Sequence, residues 1–304
     1  MNRRSAFLAI LLALPLLVPT QAEAGTPQAP AQTSKAKPAT GQSARPARKP
    51  NPGRKGPPPA APEIPEAAEV PHGIMRAHFI DVGQGDATLL EFPCGAVLVD
   101  AGASDEARAE RLVTYLDSFF TARPDLDRTL DLLVVTHTHI DHNRALQRVL
   151  EGFKVRRHLD NGHAGGPPAE APRAWAAANA ARLGVDLREV TWDDLPSEAK
   201  GKRAGLYDDF VDRLDCGVDG DPMFHVLASS RPEPPKEWNA GEFNDENNHS
   251  IGLRVDFGGA SLLFTGDMDE KAQADLIERY EGTDALDVDV YQAGHHGADN
   301  GTTA

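Results

Sequence analysis

Four groups able to bind a divalent cation fall within six positions of this chain. His137, His139, Asp141 and His142 lie in "VVTHTHIDHNRAL", Val134 to Leu146, directly after an apolar run. Neutral imidazole and ionised carboxylate are the first-choice ligands of zinc and similar ions, at roughly 2.0–2.2 Å. In a compact loop the first and third of these positions can point one way and the fifth and sixth another, so one loop could serve two neighbouring cations. A polar loop with satisfied side chains is the alternative for any single histidine, and four candidate ligands so close together weigh against it. Two later segments add to the pattern. "FTGD" closes an apolar run with Asp267, whose carboxylate could bridge two cations, and "AGHHG" carries His295 and His296. Asp267 or Asp269 could instead cap the helix that follows.

Rigid elements must carry these residues. "HFIDV", "ATLLEF" and "AVLVDAG" read as three successive short strands, the first two joined by the glycine turn "GQGD" and the last two by "PCG". "EARAERLVTYLDSFF" places Leu112, Val113, Leu116, Phe119 and Phe120 on one helical face. "TLDLLVVTH" then reads as one buried strand ending at the histidines, and "NRALQRVLEG" as a helix. Residues 161–245 are less regular, with a helix predicted at "APRAWAAANAARLG" and a strand at "FHVLAS". Two strands in "SIGLRVDFGGASLLFTGD", a helix in "DEKAQADLIERY" and a strand in "DVDVYQAGHHG" complete the order. Strands followed by helix, twice over, favour an α+β fold of two sheets packed between helices.

The first 72 residues have another character. Residues 1–24 read as a secretory signal peptide, with Arg3 and Arg4 ahead of the apolar "AFLAILLALPLLV" and the small-residue pattern "QAEA". A membrane anchor fits less well, because the run is short of the ~20 residues a span needs and Pro15 interrupts it. Residues 25–72 are rich in Pro, Ala, Lys and Arg and read as a disordered basic linker. The expected product is an exported protein, periplasmic or secreted, without a transmembrane segment once the signal is cleaved. Residues 71–304 keep 22 Lys and Arg against 42 Asp and Glu, a balance of −20. So negative a surface repels phosphate backbones and disfavours extended nucleic acid without excluding it. Cys94 and Cys216 are the only cysteines, and the sequence leaves open whether they pair or stay as free thiols.

"THTHIDH", "FTGD" and "HHG" together resemble the metal motifs of the metallo-beta-lactamase superfamily, and "HFIDVGQGDATLLEF...VLVDAG" resembles the opening of its ComEC-like branch. The likeness runs from about Arg76 to the end of the sequence and is vague between 161 and 240. It implies an αββα sandwich of two mixed sheets flanked by helices, over a domain spanning 73–304; the family normally adds a further C-terminal strand and helix, so either these are missing or the fold is completed differently. It also implies two divalent metal ions, zinc first and manganese as the alternative. His137 and His139 would hold the first, Asp141 and His142 the second, and Asp267 would bridge. His295 would complete the second site, with His296 either substituting for it or lying just outside as a proton donor. Asp86 and Asp100 would be supporting carboxylates near the site, a plain turn or strand-end role being equally open.

The sequence departs from the family pattern in places. His139 stands where many ComEC-like members have Asp, and Asn143 and Arg144 replace the usual small residues, so that Arg144 either meets an anionic substrate or faces water. The family's intermediate histidine has no certain counterpart: Asn247 and Ser250 match an Asn-x-x-Ser pattern there, and His249 could supply the ligand. The function implied is hydrolysis by a metal-bridging hydroxide, Asp141 orienting the water, on a small-molecule or envelope-derived phosphoester or phosphodiester. The alternatives are an exported beta-lactamase-like hydrolase of a cyclic amide and a non-catalytic metal-binding envelope domain.

Overall fold

Successive side chains of a strand point to opposite faces of a sheet, so an unbroken apolar strand must be covered on both sides. The computed structural model describes residues 74–196, 204–217 and 221–302. The expected signal segment 1–24 and linker 25–72 lie outside the described residues.

In chain order the first half contains β1 (Arg76–Phe79), β2 (Thr88–Glu91), β3 (Ala96–Val99), α1 (Glu106–Ala122), β4 (Thr129–Leu130), β5 (Leu132–Val134), α2 (Ile140–Asn143), α3 (Leu146–Gly152), β6 (Lys154–Val155), β7 (Arg157–Asp160), α4 (Glu170–Leu183) and β8 (Asp186–Glu189). One sheet has the order β1-β2-β3-β5-β7-β8. Its first three strands form the expected antiparallel meander, and the last three join in parallel. The second half supplies β9 (Met223–Ala228), α5 (Ala240–Phe243), β10 (Gly252–Phe257), β11 (Ala260–Phe264), α6 (Glu270–Tyr280) and β12 (Val290–Tyr291), with a second sheet ordered β12-β11-β10-β9.

Alternation sorts the buried residues into layers. Leu89, Leu98 and Leu133 face outward onto Leu112, Leu116 and Phe119 of α1 and Val149 of α3. Their neighbours Leu90, Val97, Val99, Leu132 and Val134 face inward onto Phe224, Val226, Leu253, Val255 and Phe264 of the second sheet. Leu227 and Leu263 cover the far side against Ala272, Leu276 and Tyr280 of α6. The result is the expected α+β sandwich of helix, sheet, sheet and helix.

Two strand expectations are corrected. "TLDLLVVTH" is broken at Asp131, whose carboxylate accepts from the Ala96 N–H at 3.3 Å; β4 on one side pairs with β6, while β5 on the other joins the main sheet. Of residues 287–297 only β12 is strand, pairing in parallel with β11. Its continuation turns away through His295 and His296, both in the left-handed region at φ 48° and 51°. Cys94 and Cys216, left open by the sequence, are joined in a disulfide across a separation of 122 residues. Among the described residues no helix is long and apolar enough to cross a membrane.

Candidate metal centre

Parallel neighbours in a sheet end at the same edge. β3 and β5 are such neighbours in one sheet and β11 and β12 in the other, so the segments after all four strands converge. The Ile251 N–H donates to the Thr136 carbonyl at 2.8 Å and joins the two sheets at this edge. Asp100 follows β3, His137 and His139 follow β5, α2 carries Asp141 and His142, Asp267 follows β11, and His295 and His296 follow β12.

Thr136 anchors the cluster. Its N–H and hydroxyl donate to the two oxygens of Asp100, at 2.7 and 2.9 Å, and Asp100 Oδ2 also accepts from His142 Nδ1 at 2.9 Å. With Nδ1 committed, His142 presents Nε2 to the centre, an arrangement typical of metal-ligating histidines held by a carboxylate behind them. His139 is held likewise: its Nε2 lies 3.4 Å from Glu246 Oε2, while its Nδ1 is 3.1 Å from His137 Nε2.

Two sets of ligating atoms result, each set lying within 4.8 Å of one another: His137, His139 and Asp267 in one, Asp86, His142, Asp267 and His296 in the other. Asp267 belongs to both. Its Oδ2 is 4.0 Å from His137 Nε2, 3.3 Å from His142 Nε2 and 3.2 Å from His296 Nε2, and its Oδ1 is buried without a hydrogen-bond partner. The Nε2 atoms of His142 and His296 are themselves 3.3 Å apart. Imidazole nitrogens turned toward one another around a buried carboxylate with an oxygen to spare are a donor set for cations, and the residues fit two of them.

Charge in the metal-free chain follows from the same contacts. Burial keeps His137 well below the ordinary histidine value, the neighbouring His142 adding to the effect, so it is a neutral donor. Burial also opposes a charge on His142, but the charge and hydrogen bond of Asp100 and the contact with Asp267 push it well above that value. Hydrogen bonds to Asp141 and Asp267 push His296 up to about 10. Burial works against ionisation of Asp267, yet hydrogen bonds from His142 and His296 hold its carboxyl well below the usual range. Burial raises Asp86 to about 6.

These directions give a pH prediction. His142 and His296 titrate higher in the folded chain, so their stabilisation is complete below the ordinary value of 6.5 and is lost as pH rises through the folded value, about 10 for His296. Asp267 titrates lower, and its contribution is lost only as pH falls below 3.8. The chelator-treated chain is therefore expected to lose melting temperature between pH 6.5 and about 10. With zinc in excess the trend should reverse, because ligation needs unprotonated imidazole and strengthens as protons leave; about 2.7 kcal/mol is added at 100 times Kd. Thermal melts across this pH range with and without chelator check it, and parallel curves would contradict it.

Several expectations are revised by the geometry. His296, not His295, enters the second set; His295 turns to Asp269, with Nδ1 3.4 Å from Oδ1, and to Asn247, with Nε2 3.4 Å from Nδ2. His249 is not brought in: its Nδ1 accepts from the Arg231 N–H at 3.1 Å, its Nε2 donates to the Phe243 carbonyl at 2.6 Å, and its ring stacks on His163. Asn247 lies beside His295 with its own Oδ1 buried and unpartnered. Arg144 is engaged beside α1 at a partly exposed position, where Nε donates to the Ala103 carbonyl at 2.8 Å and the guanidinium pairs with the exposed Glu106 at 3.5 Å. Asp141 belongs to neither set but touches the second through His296, 3.3 Å from its Oδ2. Asp100 lies behind His142, its Oδ2 accepting from His142 Nδ1. Asp86 is nearer the centre than a supporting role required. Thr136, Glu246 and Gln292, which donates to Asp86 at 2.7 Å, were missed. Of these only Thr136 had a signal, its place directly before the first histidine.

Residues 80–303 match the family described as the metallo-beta-lactamase superfamily. The chain is similar to ComE operon protein 3 of Bacillus subtilis (strain 168), 28% identical over 237 residues that make up 73% of this chain and 25% of that protein. It is also similar to Competence protein ComA of Neisseria gonorrhoeae, 34% identical over 94 residues, 28% of this chain and 13% of that one. The match thus spans a quarter or less of the length of either relative. Among solved structures, MEM-A1, a subclass B3 metallo-beta-lactamase isolated from a soil metagenome library, shares 12% identity at a TM-score of 0.42, covering 73% of this chain and 77% of that one.

Proposed function

The chain belongs to the metallo-beta-lactamase superfamily, and from that premise we propose that it is an exported two-cation hydrolase acting on a phosphodiester. The observation that carries the reading is the sharing of Asp267 between two sets of donors. His137, His139 and Asp267 would hold one cation, and His142, Asp267 and His296 the other. Two divalent cations, zinc or manganese, supply Lewis-acid polarisation of a phosphoryl oxygen and make water acidic enough to attack near neutral pH.

The chain's own residues do the rest. Asp100 and Glu246 fix which ring nitrogens of His142 and His139 face the centre. Asp141, half-buried on α2 and in contact with His296, is placed to orient the attacking water and take its proton. His296, as a ligand, is not the proton donor in this scheme. The balance of −20 on residues 71–304 favours a small or envelope-derived diester over a long polyanion. The Cys94–Cys216 bond suits an oxidising compartment, periplasmic or extracellular. The relatives' names offer competence as a cellular setting.

Elemental analysis of the purified chain is expected to find about two cations, and a chromogenic phosphodiester should turn over with zinc or manganese restored. Asp141→Ala should lower the rate by about 10²–10⁴-fold. No turnover with any divalent cation would overturn the reading, and turnover of a chromogenic cephalosporin in its place would favour the cyclic-amide alternative.

A further inference from the structure

The segment "GQGD", whose Asp86 was expected as a supporting carboxylate or a plain turn residue, reaches the metal centre through two close backbone approaches. The Asp86 N–H donates to the Asp141 carbonyl at 3.1 Å, and the Gly102 N–H donates to the Asp86 carbonyl at 2.9 Å. A Cβ on Gly102 would stand 1.7 Å from the Asp141 carbonyl oxygen, and one on Gly85, at φ +141°, 2.5 Å from the same atom. Only glycine permits this packing, which brings Asp86 against the helix that carries Asp141 and His142.

The two oxygens of Asp86 are then treated differently. Oδ1 accepts from Gln292 Nε2 at 2.7 Å, while Oδ2 lies 4.0 Å from His296 Nδ1. Gln292 is fixed in turn, its backbone N–H donating to the Leu263 carbonyl at 3.0 Å and its Oε1 accepting from the Thr88 hydroxyl at 3.5 Å. Strand β2 of one sheet and β11 of the other therefore hold Gln292, and its amide holds one oxygen of Asp86. The ligating atom of Asp86 falls within 4.8 Å of those of His142, Asp267 and His296.

We propose that Asp86 donates directly to the second cation and that Gln292 is its positioning residue, holding one carboxylate oxygen so that the other is left for the ion. The assignment rests on the two-cation reading above. It gives the second cation a half-buried carboxylate of its own besides the shared Asp267.

The test is equilibrium zinc binding to the full chain after chelator treatment, read by titration calorimetry and repeated with Co²⁺ for its ligand-field absorption. The native chain is expected to take up two ions. Asp86→Asn and Gln292→Ala should keep the first affinity and weaken the second by about 10–100-fold, with a changed cobalt spectrum at the second site only. Unchanged second-ion affinity in both variants would overturn the assignment while leaving the centre standing. Equal loss of both ions, with lower melting of the chelator-treated variants, would make the pair structural and also overturn it. If the native chain takes up no zinc or cobalt, the centre and the assignment fall together.

Discussion

Asp267→Asn is expected to abolish uptake of the second cation, weaken the first, and lower kcat/KM on a phosphodiester by at least about 10³-fold, roughly 4 kcal/mol of activation free energy. Asp267 is the one residue common to both donor sets, and its Oδ2 is in contact with His142 and His296. The amide keeps the shape but loses the negative charge that offsets two cations, and it places an N–H₂ group among imidazole nitrogens that need an acceptor or an ion. Part of the effect should be visible without metal. His142 and His296 owe part of their raised pKa values to Asp267, so both should titrate lower in the variant, measurable by NMR of the ring protons. A variant that binds two ions and turns over at the native rate would end the account of a shared bridging carboxylate.

Replacing Cys94 and Cys216 together by Ala is expected to lower stability by about 2–5 kcal/mol, and the melting temperature by roughly 4–20 °C for a domain of this size. The bond closes a loop of 122 residues that reaches from the β2–β3 turn, across β5, β7 and α4, to the segment before β9. Opening it returns that freedom to the unfolded chain. Cys216 also packs against the core between the sheets, so the loss falls on the interface that brings the four strand ends together. The variant's metal affinity should fall less than its stability, because neither cysteine touches the donor sets. Melting of the native chain with and without reductant is the direct check, and coincident curves would show that the bond adds nothing.

Most of the architecture was legible because it depends on local pattern. Leu89 with Leu90, and Leu98 with Val99, are neighbours that must face opposite ways, so their apolar runs called for cover on both sides of a sheet. The spacing of Leu112, Leu116, Phe119 and Phe120 marked the helix that covers one of them. His137, His139 and His142 were legible as candidate ligands for the same reason, since three positions within six residues stay together in any fold. The break at Asp131 was not legible, because the partner of its carboxylate, the Ala96 N–H, lies on another strand.

By itself the sequence determined the layer order, the segment that carries the clustered histidines and the strand end that carries Asp267, all consequences of side-chain period and short-range spacing. Tertiary structure alone decided between His295 and His296, which are adjacent in sequence but separated by a left-handed backbone and by the claims of Asp269 and Asn247 on His295. It also turned His249 and Arg144 to other partners, set Asp86 among the second group of candidate ligands, and joined Cys94 to Cys216. Each of these rests on a contact between segments far apart in the chain, and such a contact exists only once the two sheets have closed on each other.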